Sequence, residues 1–112
     1  MKFLVLNGPN LNLLGKREPG VYGTGTYAGL CAEIAAYAAA RGIRADIRQS
    51  NHEGVLIDEI QAADGVYDGI VINPGAYTHY SYAIYDALLA VRVPAVEVHI
   101  SDISRRAALR RT

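Results

Sequence analysis

Two residues near the carboxyl end of the sequence could carry out acid chemistry together. Glu97 and His99 are separated by one residue in the apolar run of residues 95–100. In an extended strand they point to the same face, about 7 Å apart along the strand. A carboxylate beside one imidazole nitrogen fixes the tautomer and favours the imidazolium, so that the other nitrogen can act as a general acid. The alternative is a structural ion pair on a sheet face.

A second pair, Arg17 and Tyr22, could supply a base. Both lie in the glycine-rich stretch of residues 7–25, which we expect to form a long loop. Tyrosine ordinarily titrates near pH 10, and bringing it to neutrality needs roughly 4 kcal/mol of preferential stabilisation of the phenolate. A guanidinium within a few ångströms in a closed site supplies energy of that order. Alternatively, Tyr22 is an anchor that packs the loop on the surface.

The elements that must position these residues alternate along the sequence. Strands are predicted at residues 3–6, 43–48, 69–72 and 95–100. A first helix is predicted at residues 27–41, with Thr26 as its cap and Gly42 as its terminator. A second helix carries Val55, Leu56, Ile60 and Ala63, and residues 49–51 offer caps for it. A third helix is predicted at residues 82–91 and a short basic helix at residues 102–111. Short connections indicate parallel pairing with helices on both faces. The predicted fold is α/β, a flavodoxin-like doubly wound parallel sheet.

The predicted strands all end in polar sequence. Their ends are Asn7-Gly8-Pro9-Asn10, Gln49-Ser50-Asn51-His52, Asn73-Pro74-Gly75 and His99-Ile100-Ser101. Ligands of doubly wound sheets bind beyond the carboxyl ends of the strands, so four polar ends predict a polar pocket. Ser101 could hold an oxyanion through its hydroxyl and, with Ile100, through backbone N–H groups. Ordinary turns and a helix cap are the alternatives.

Composition excludes several other classes of protein. The chain has 112 residues and no net charge, which favours a single domain, residues 1–112, with a small-molecule partner over a nucleic-acid or membrane-surface binder. One cysteine, Cys31, excludes an intramolecular disulfide. No signal peptide or spanning segment is recognisable, so we expect a cytoplasmic protein. Neither a glycine cradle for phosphates nor a metal-ligand spacing is present, so we expect no cofactor and no metal.

Four stretches of the sequence resemble type II 3-dehydroquinate dehydratase. They are LNGPNLNLLGKREPGVYG (residues 6–23), QSNHEG (49–54), INPGAYTHYSYAIYDA (72–87) and VEVHISDISRRAALRR (96–111). The resemblance implies a lyase of the shikimate or quinate pathway. Such an enzyme dehydrates 3-dehydroquinate to 3-dehydroshikimate by anti elimination through an enolate, without metal or Schiff base.

The resemblance also implies roles for five catalytic residues. Tyr22 is similar to the base that removes the proton next to the ketone, and Arg17 to the cation that activates it. Asn10 would hold the water or oxygen that stabilises the enolate. His99 resembles the general acid that protonates the departing hydroxyl, and Glu97 the group that orients it.

Further residues match positions that contact the substrate in the family. They are Asn73, His79, Ile100, Ser101 and Arg110. Asp86 matches an acid that reaches the site of a neighbouring subunit. A generic basic face is the alternative for Arg110, which follows two other arginines, and a solvated or capping position is the alternative for His79 and Asp86.

The resemblance also bears on the extent and assembly of the domain. Family members continue through a fifth strand and a closing helix, so we expect a sheet without these two elements, in which residues 95–100 form an edge. Trimers arranged in a dodecamer are implied, and residues 7–25 would serve as the active-site lid. Two other interpretations remain: a non-catalytic flavodoxin-like module that binds small anions, and an inactive truncated form.

Overall fold

The computed structural model describes residues 1–15, 25–79 and 81–99, without the side chains of Thr78 and His79. Strands and α-helices alternate through this part of the chain. In order they are β1 (Lys2–Asn7), α1 (Tyr27–Ala40), β2 (Arg44–Gln49), α2 (Glu53–Ala63), β3 (Gly69–Asn73), α3 (Tyr82–Ala90) and β4 (Ala95–Glu97). Short 3-10 turns lie at Leu11–Leu13 and Gly75–His79.

The strands form one parallel sheet in the order β2-β1-β3-β4. Asn7 pairs in register with both Gln49 and Asn73, so these three strands end at the same level. On β4, Glu97 pairs with Ile72. This order is that of the flavodoxin-like doubly wound sheet, which confirms the predicted fold.

The two central strands explain why the sequence folds in this way. Leu4, Leu6, Ile70 and Ile72 alternate along β1 and β3 and are fully buried against α2 and α3. Burying such a side chain contributes about 1.5–3 kcal/mol. The intervening residues face α1, where Phe3, Val5 and Val71 line an open apolar groove of about 460 Å³. The near-continuous apolar runs that predicted these strands therefore reflect apolar side chains on both faces of the sheet.

Helix α1 begins and ends at the signals read from the sequence. The Thr26 hydroxyl accepts a 3.1 Å hydrogen bond from the backbone N–H of Gly29. Gly42 follows the helix with φ +68°, a conformation that favours glycine. Ala40 is the last helical residue, one position before the predicted end.

Strand β4 is shorter than predicted: it ends at Glu97, whereas the sequence predicted Ile100. The backbone N–H of Val98 still donates to the carbonyl of Ile72 (2.8 Å). In a parallel ladder the carbonyl of Val98 would next accept from residue 74, but Pro74 has no N–H. Pro74 thus ends the ladder just before His99. Ile100 and the basic helix predicted for residues 102–111 lie outside the described residues.

Candidate active site

The carboxyl ends of β1 and β3 are in direct contact. The backbone N–H of Gly8 donates to the carbonyl of Asn73 (2.7 Å). A Cβ on Gly8 would lie 2.6 Å from the carbonyl oxygen of Pro74, so only glycine allows this approach. Asn73 is buried, and its Oδ1 accepts from the backbone N–H of Gly75 (3.2 Å). The asparagine at the end of β3 is therefore held rigidly.

The end of β2 joins the same region through amide side chains. Gln49 Nε2 donates to the carbonyl of Gly8 (3.2 Å) and to Asn51 Oδ1 (3.0 Å). Asn51 Oδ1 also accepts from the backbone N–H of Asn10 (3.0 Å). Three of the predicted polar strand ends thus form one hydrogen-bonded group, which we call the strand-end network: Gly8, Asn10, Gln49, Asn51 and Asn73.

Asn51 corrects one prediction from the sequence. Residues 49–51 were expected to cap the second helix, but α2 starts at Glu53 and His52 is its N-cap residue, without a side-chain capping bond. The oxygen of Asn51 is instead engaged by Asn10 and Gln49, and Ser50 Oγ accepts from the backbone N–H of His52 (3.0 Å). Capping patterns are local, whereas the partner of Asn51 lies 41 residues away in sequence.

The backbone of Asn10 is set by this contact. Its φ is +68°, in the left-handed region that asparagine adopts more readily than most other residues. Because its N–H is bonded to Asn51, its position beyond β1 is fixed relative to the end of β2. Asn10 is exposed at the carboxyl edge of the sheet, where the predicted pocket lies.

Glu97 and His99 come together as their spacing predicts. His99 Nε2 lies 3.1 Å from Glu97 Oε2. Among the described residues neither ring nitrogen has a hydrogen bond of good geometry. The contact is therefore an electrostatic one at short range. The imidazole is 14% exposed, a setting in which a nearby charge acts more strongly than it does in water.

Tyr85 binds the other oxygen of this carboxylate, a contact that was not predicted from the sequence. Its hydroxyl donates to Glu97 Oε1 at 2.6 Å. Since Glu97 pairs with Ile72 on β3, its side chain lies on the sheet face that α3 covers. The only sequence signal for the contact is a tyrosine on the helix preceding the strand, and that signal is not specific.

Tyr27 shows what burial does to a tyrosine near this edge. Asn7 Nδ2 donates to its hydroxyl oxygen (3.3 Å), which links α1 to the end of β1. Partial burial, which disfavours the phenolate, raises the pKa of Tyr27 above its usual value. Tyr27 is therefore protonated at neutral pH and makes this contact as a neutral group.

The remaining predicted site residues are placed as follows. Asp86 lies exposed on α3, and His79 ends the 3-10 turn after β3. Outside the described residues lie Arg17, Tyr22, Ile100, Ser101 and Arg110. Within residues 1–15, 25–79 and 81–99, no three His, Cys, Asp or Glu side chains are grouped to hold a metal ion. No helix of this part of the chain has the length and apolar character needed to cross a membrane.

The fold and the site together define a class of protein. A parallel sheet of this order is flavodoxin-like, and proteins of this class bind ligands beyond the carboxyl edge of the sheet. In this protein that edge carries amides and a carboxylate–imidazole pair. The family model described as Dehydroquinase class II matches residues 1–112. The chain therefore belongs to the class II dehydroquinase family.

Individual relatives agree with this assignment. A 3-dehydroquinate dehydratase of Halalkalibacterium halodurans is 53% identical over 109 residues, which cover 97% of this chain and 75% of that protein. The crystal structure of type II dehydroquinase from Butyrivibrio crossotus matches with a TM-score of 0.93 and 54% identity, covering 98% of this chain and 77% of that one. The crystal structure of type II dehydroquinase from Propionibacterium acnes matches with a TM-score of 0.88 and 44% identity, covering 94% of this chain and 72% of that one.

Proposed function

We propose that the protein is a 3-dehydroquinate dehydratase that eliminates water from 3-dehydroquinate to give 3-dehydroshikimate by anti elimination through an enolate. Membership of the class II dehydroquinase family supports the reaction. The observation that carries the proposal is the Glu97–His99 pair at the polar carboxyl edge of the sheet. An elimination needs a group that protonates the departing hydroxyl, and a carboxylate-assisted imidazole is suited to that step.

His99 is the proposed general acid. The Glu97 carboxylate lies 3.1 Å from Nε2 and orients the ring. In this role Nδ1 gives its proton to the departing hydroxyl as the electron pair of the enolate forms the new C=C bond and the C–O bond breaks, which releases water. Low exposure of the imidazole strengthens its attraction to the carboxylate.

Tyr22 is the proposed base, activated by the Arg17 guanidinium. The phenolate takes the proton next to the ketone, and the electron pair moves to the ketone oxygen to form the enolate. Asn10 holds the water or oxygen that stabilises this enolate, and the strand-end network supports that role because it fixes the backbone of Asn10. The matching stretches at residues 6–23 and 49–54 support these assignments.

The substrate is proposed to bind through the remaining matched residues, which are Asn73, His79, Ile100, Ser101 and Arg110. Asp86 is proposed to reach the site of a neighbouring subunit, and its exposed position on α3 is compatible with that role. We further propose trimers assembled into a dodecamer, a cytoplasmic location, one domain over residues 1–112, and a lid formed by residues 7–25.

The test is a direct assay of the purified protein with 3-dehydroquinate. The conjugated enone of the product should appear as a rising ultraviolet absorbance, and Tyr22→Phe and His99→Asn should each lower kcat by at least about 100-fold. Tyr82→Phe is the matched control, since that side chain is 88% exposed on α3. Substrate binding without product, unchanged in Tyr22→Phe, would instead support a non-catalytic small-anion binding module.

A further inference from the structure

The carboxylate of Glu97 is shared between two different groups. Oε1 accepts from the Tyr85 hydroxyl at 2.6 Å, and Oε2 lies 3.1 Å from His99 Nε2. We propose that Tyr85 is a positioning residue for His99: by holding one carboxylate oxygen, it turns the other toward the imidazole. This role rests on the proposed function, in which His99 is the acid.

A hydrogen bond to one oxygen restricts where the carboxylate can point. Glu97 is the last residue of β4, which pairs only with β3 among the described strands, and its side chain is 29% exposed. A glutamate side chain has several rotatable bonds and could extend into solvent, away from the imidazole. The contact with His99 is not a well-directed hydrogen bond, so it fixes the carboxylate poorly. The hydrogen bond from Tyr85, at the length typical of a hydroxyl donating to a charged oxygen, is the better anchor.

Tyr85 is itself held by the helix that carries it. Helix α3 is capped by Ser81, whose Oγ accepts from the backbone N–H of Ile84 (3.2 Å) and donates to Glu53 Oε2 (2.5 Å). Ile84 and Ala87 on the same helix are buried in the core. The phenol therefore projects from a rigid element onto a carboxylate at the end of β4.

A phenol is chemically suited to this position. It orients the carboxylate through a hydrogen bond but carries no charge at neutral pH, so the negative charge on Glu97 stays available to the imidazolium. A cation at the same place would compete with His99 for that charge. Tyr85 thus fixes the geometry of the pair without cancelling the electrostatic attraction within it.

The test compares Tyr85→Phe with Tyr82→Phe, a matched change three residues earlier on the same helix. In ¹⁵N spectra recorded where the imidazole is neutral, the parent and Tyr82→Phe should show His99 mainly with its proton on Nε2, beside the carboxylate. Tyr85→Phe should shift His99 toward a mixture of both tautomers. It should also lower kcat about tenfold with little change in KM, because alignment of the acid and not binding is impaired.

A double-mutant cycle with Glu97→Gln keeps the test decisive if a single variant is poorly folded. If Tyr85 acts through the carboxylate charge, Tyr85→Phe should lower kcat no further in the Glu97→Gln background. Additive losses, or an unchanged His99 tautomer in folded Tyr85→Phe, would overturn the role of Tyr85. Absence of turnover by the parent would reject the proposed function instead, and the tautomer measurement would still decide whether Tyr85 positions His99.

Discussion

Gly8 lies against the carbonyl of Pro74 so closely that a Cβ at this position would be 2.6 Å from the carbonyl oxygen. The contact brings the carboxyl ends of β1 and β3 together, beside the hydrogen bond from Gly8 to Asn73. Both strand ends carry residues proposed for the site. The geometry of the site therefore depends on a backbone approach that no other residue type permits.

Gly8→Ala should destabilise the protein by about 1–3 kcal/mol, because the opposing atoms belong to the backbone and cannot move aside. Urea unfolding would measure the loss. Gly54→Ala is the matched control: it lies in α2 with open space around the added methyl, and should be neutral or stabilise by up to about 1 kcal/mol. Equal effects of the two substitutions would contradict the role of close approach.

Tyr67→Phe should change how stability depends on pH. The Tyr67 hydroxyl donates to Asp46 Oδ2 at 2.5 Å, and this bond lowers the pKa of Asp46 and raises the pKa of Tyr67. The lowered pKa of Asp46 stabilises the folded protein above about pH 4, and this stabilisation is lost as the pH falls through the pKa of Asp46 in the folded state. The raised pKa of Tyr67 stabilises the folded protein below about pH 10, and this stabilisation is lost as the pH rises through the pKa of Tyr67 in the folded state.

The parent should therefore exceed Tyr67→Phe in free energy of unfolding between about pH 4 and pH 10, and the two should converge at either extreme. Denaturant titrations across this range give the comparison. Tyr82→Phe should follow the parent throughout. A constant difference at every pH would show that ionisation of the Tyr67–Asp46 pair does not contribute to it.

Asn51→Ala should weaken both stability and catalysis. Removing Oδ1 takes away the acceptor of the Asn10 backbone N–H and one of the three acceptors of Gln49 Nε2. Both bonds are exposed, so the expected cost is about 0.5–1.5 kcal/mol. Displacement of Asn10 should lower kcat in the assay of enone absorbance. Asn51→Asp keeps an acceptor oxygen and should retain most of the activity. Similar activities of the alanine and aspartate variants would argue against positioning of Asn10 by this bond.

Ser81→Ala should cost about 1–2 kcal/mol, because it removes the N-cap of α3 and the donor to Glu53 together. Thermal unfolding would measure the change. The comparison is Thr26→Ala, an exposed cap on α1, for which about 1 kcal/mol is expected. A larger loss at Thr26 than at Ser81 would show that the bond to Glu53 contributes nothing.

Features that depend on neighbouring residues were predicted well from the sequence. The apolar runs of β1 and β3 and the Thr26 cap are local patterns, and the i to i+2 spacing of Glu97 and His99 was enough to bring them together. Parallel pairing of the strands could be predicted because short connections leave few other ways to arrange alternating strands and helices.

Features that depend on strand register were not predicted. The bond between Tyr85 and Glu97 exists because Glu97 pairs with Ile72, and Asn51 is diverted from capping by a residue far away in sequence. The early end of β4 has the same origin. Pro74 affects the ladder only after β3 and β4 have been aligned, so neither segment by itself reveals it.

Because β1 lies between β2 and β3 in the sheet, it cannot pair on both sides until both of these strands have been synthesised. Its partners β2 and β3 both come later in the chain, and the hydrogen bond from the backbone N–H of Lys2 to Asp68 spans 66 residues. At typical elongation rates this separation corresponds to roughly 3–13 s during which the first apolar strand has been made but cannot be covered on both sides. Early in synthesis, the nascent chain therefore presents an unpaired strand that chaperones could bind.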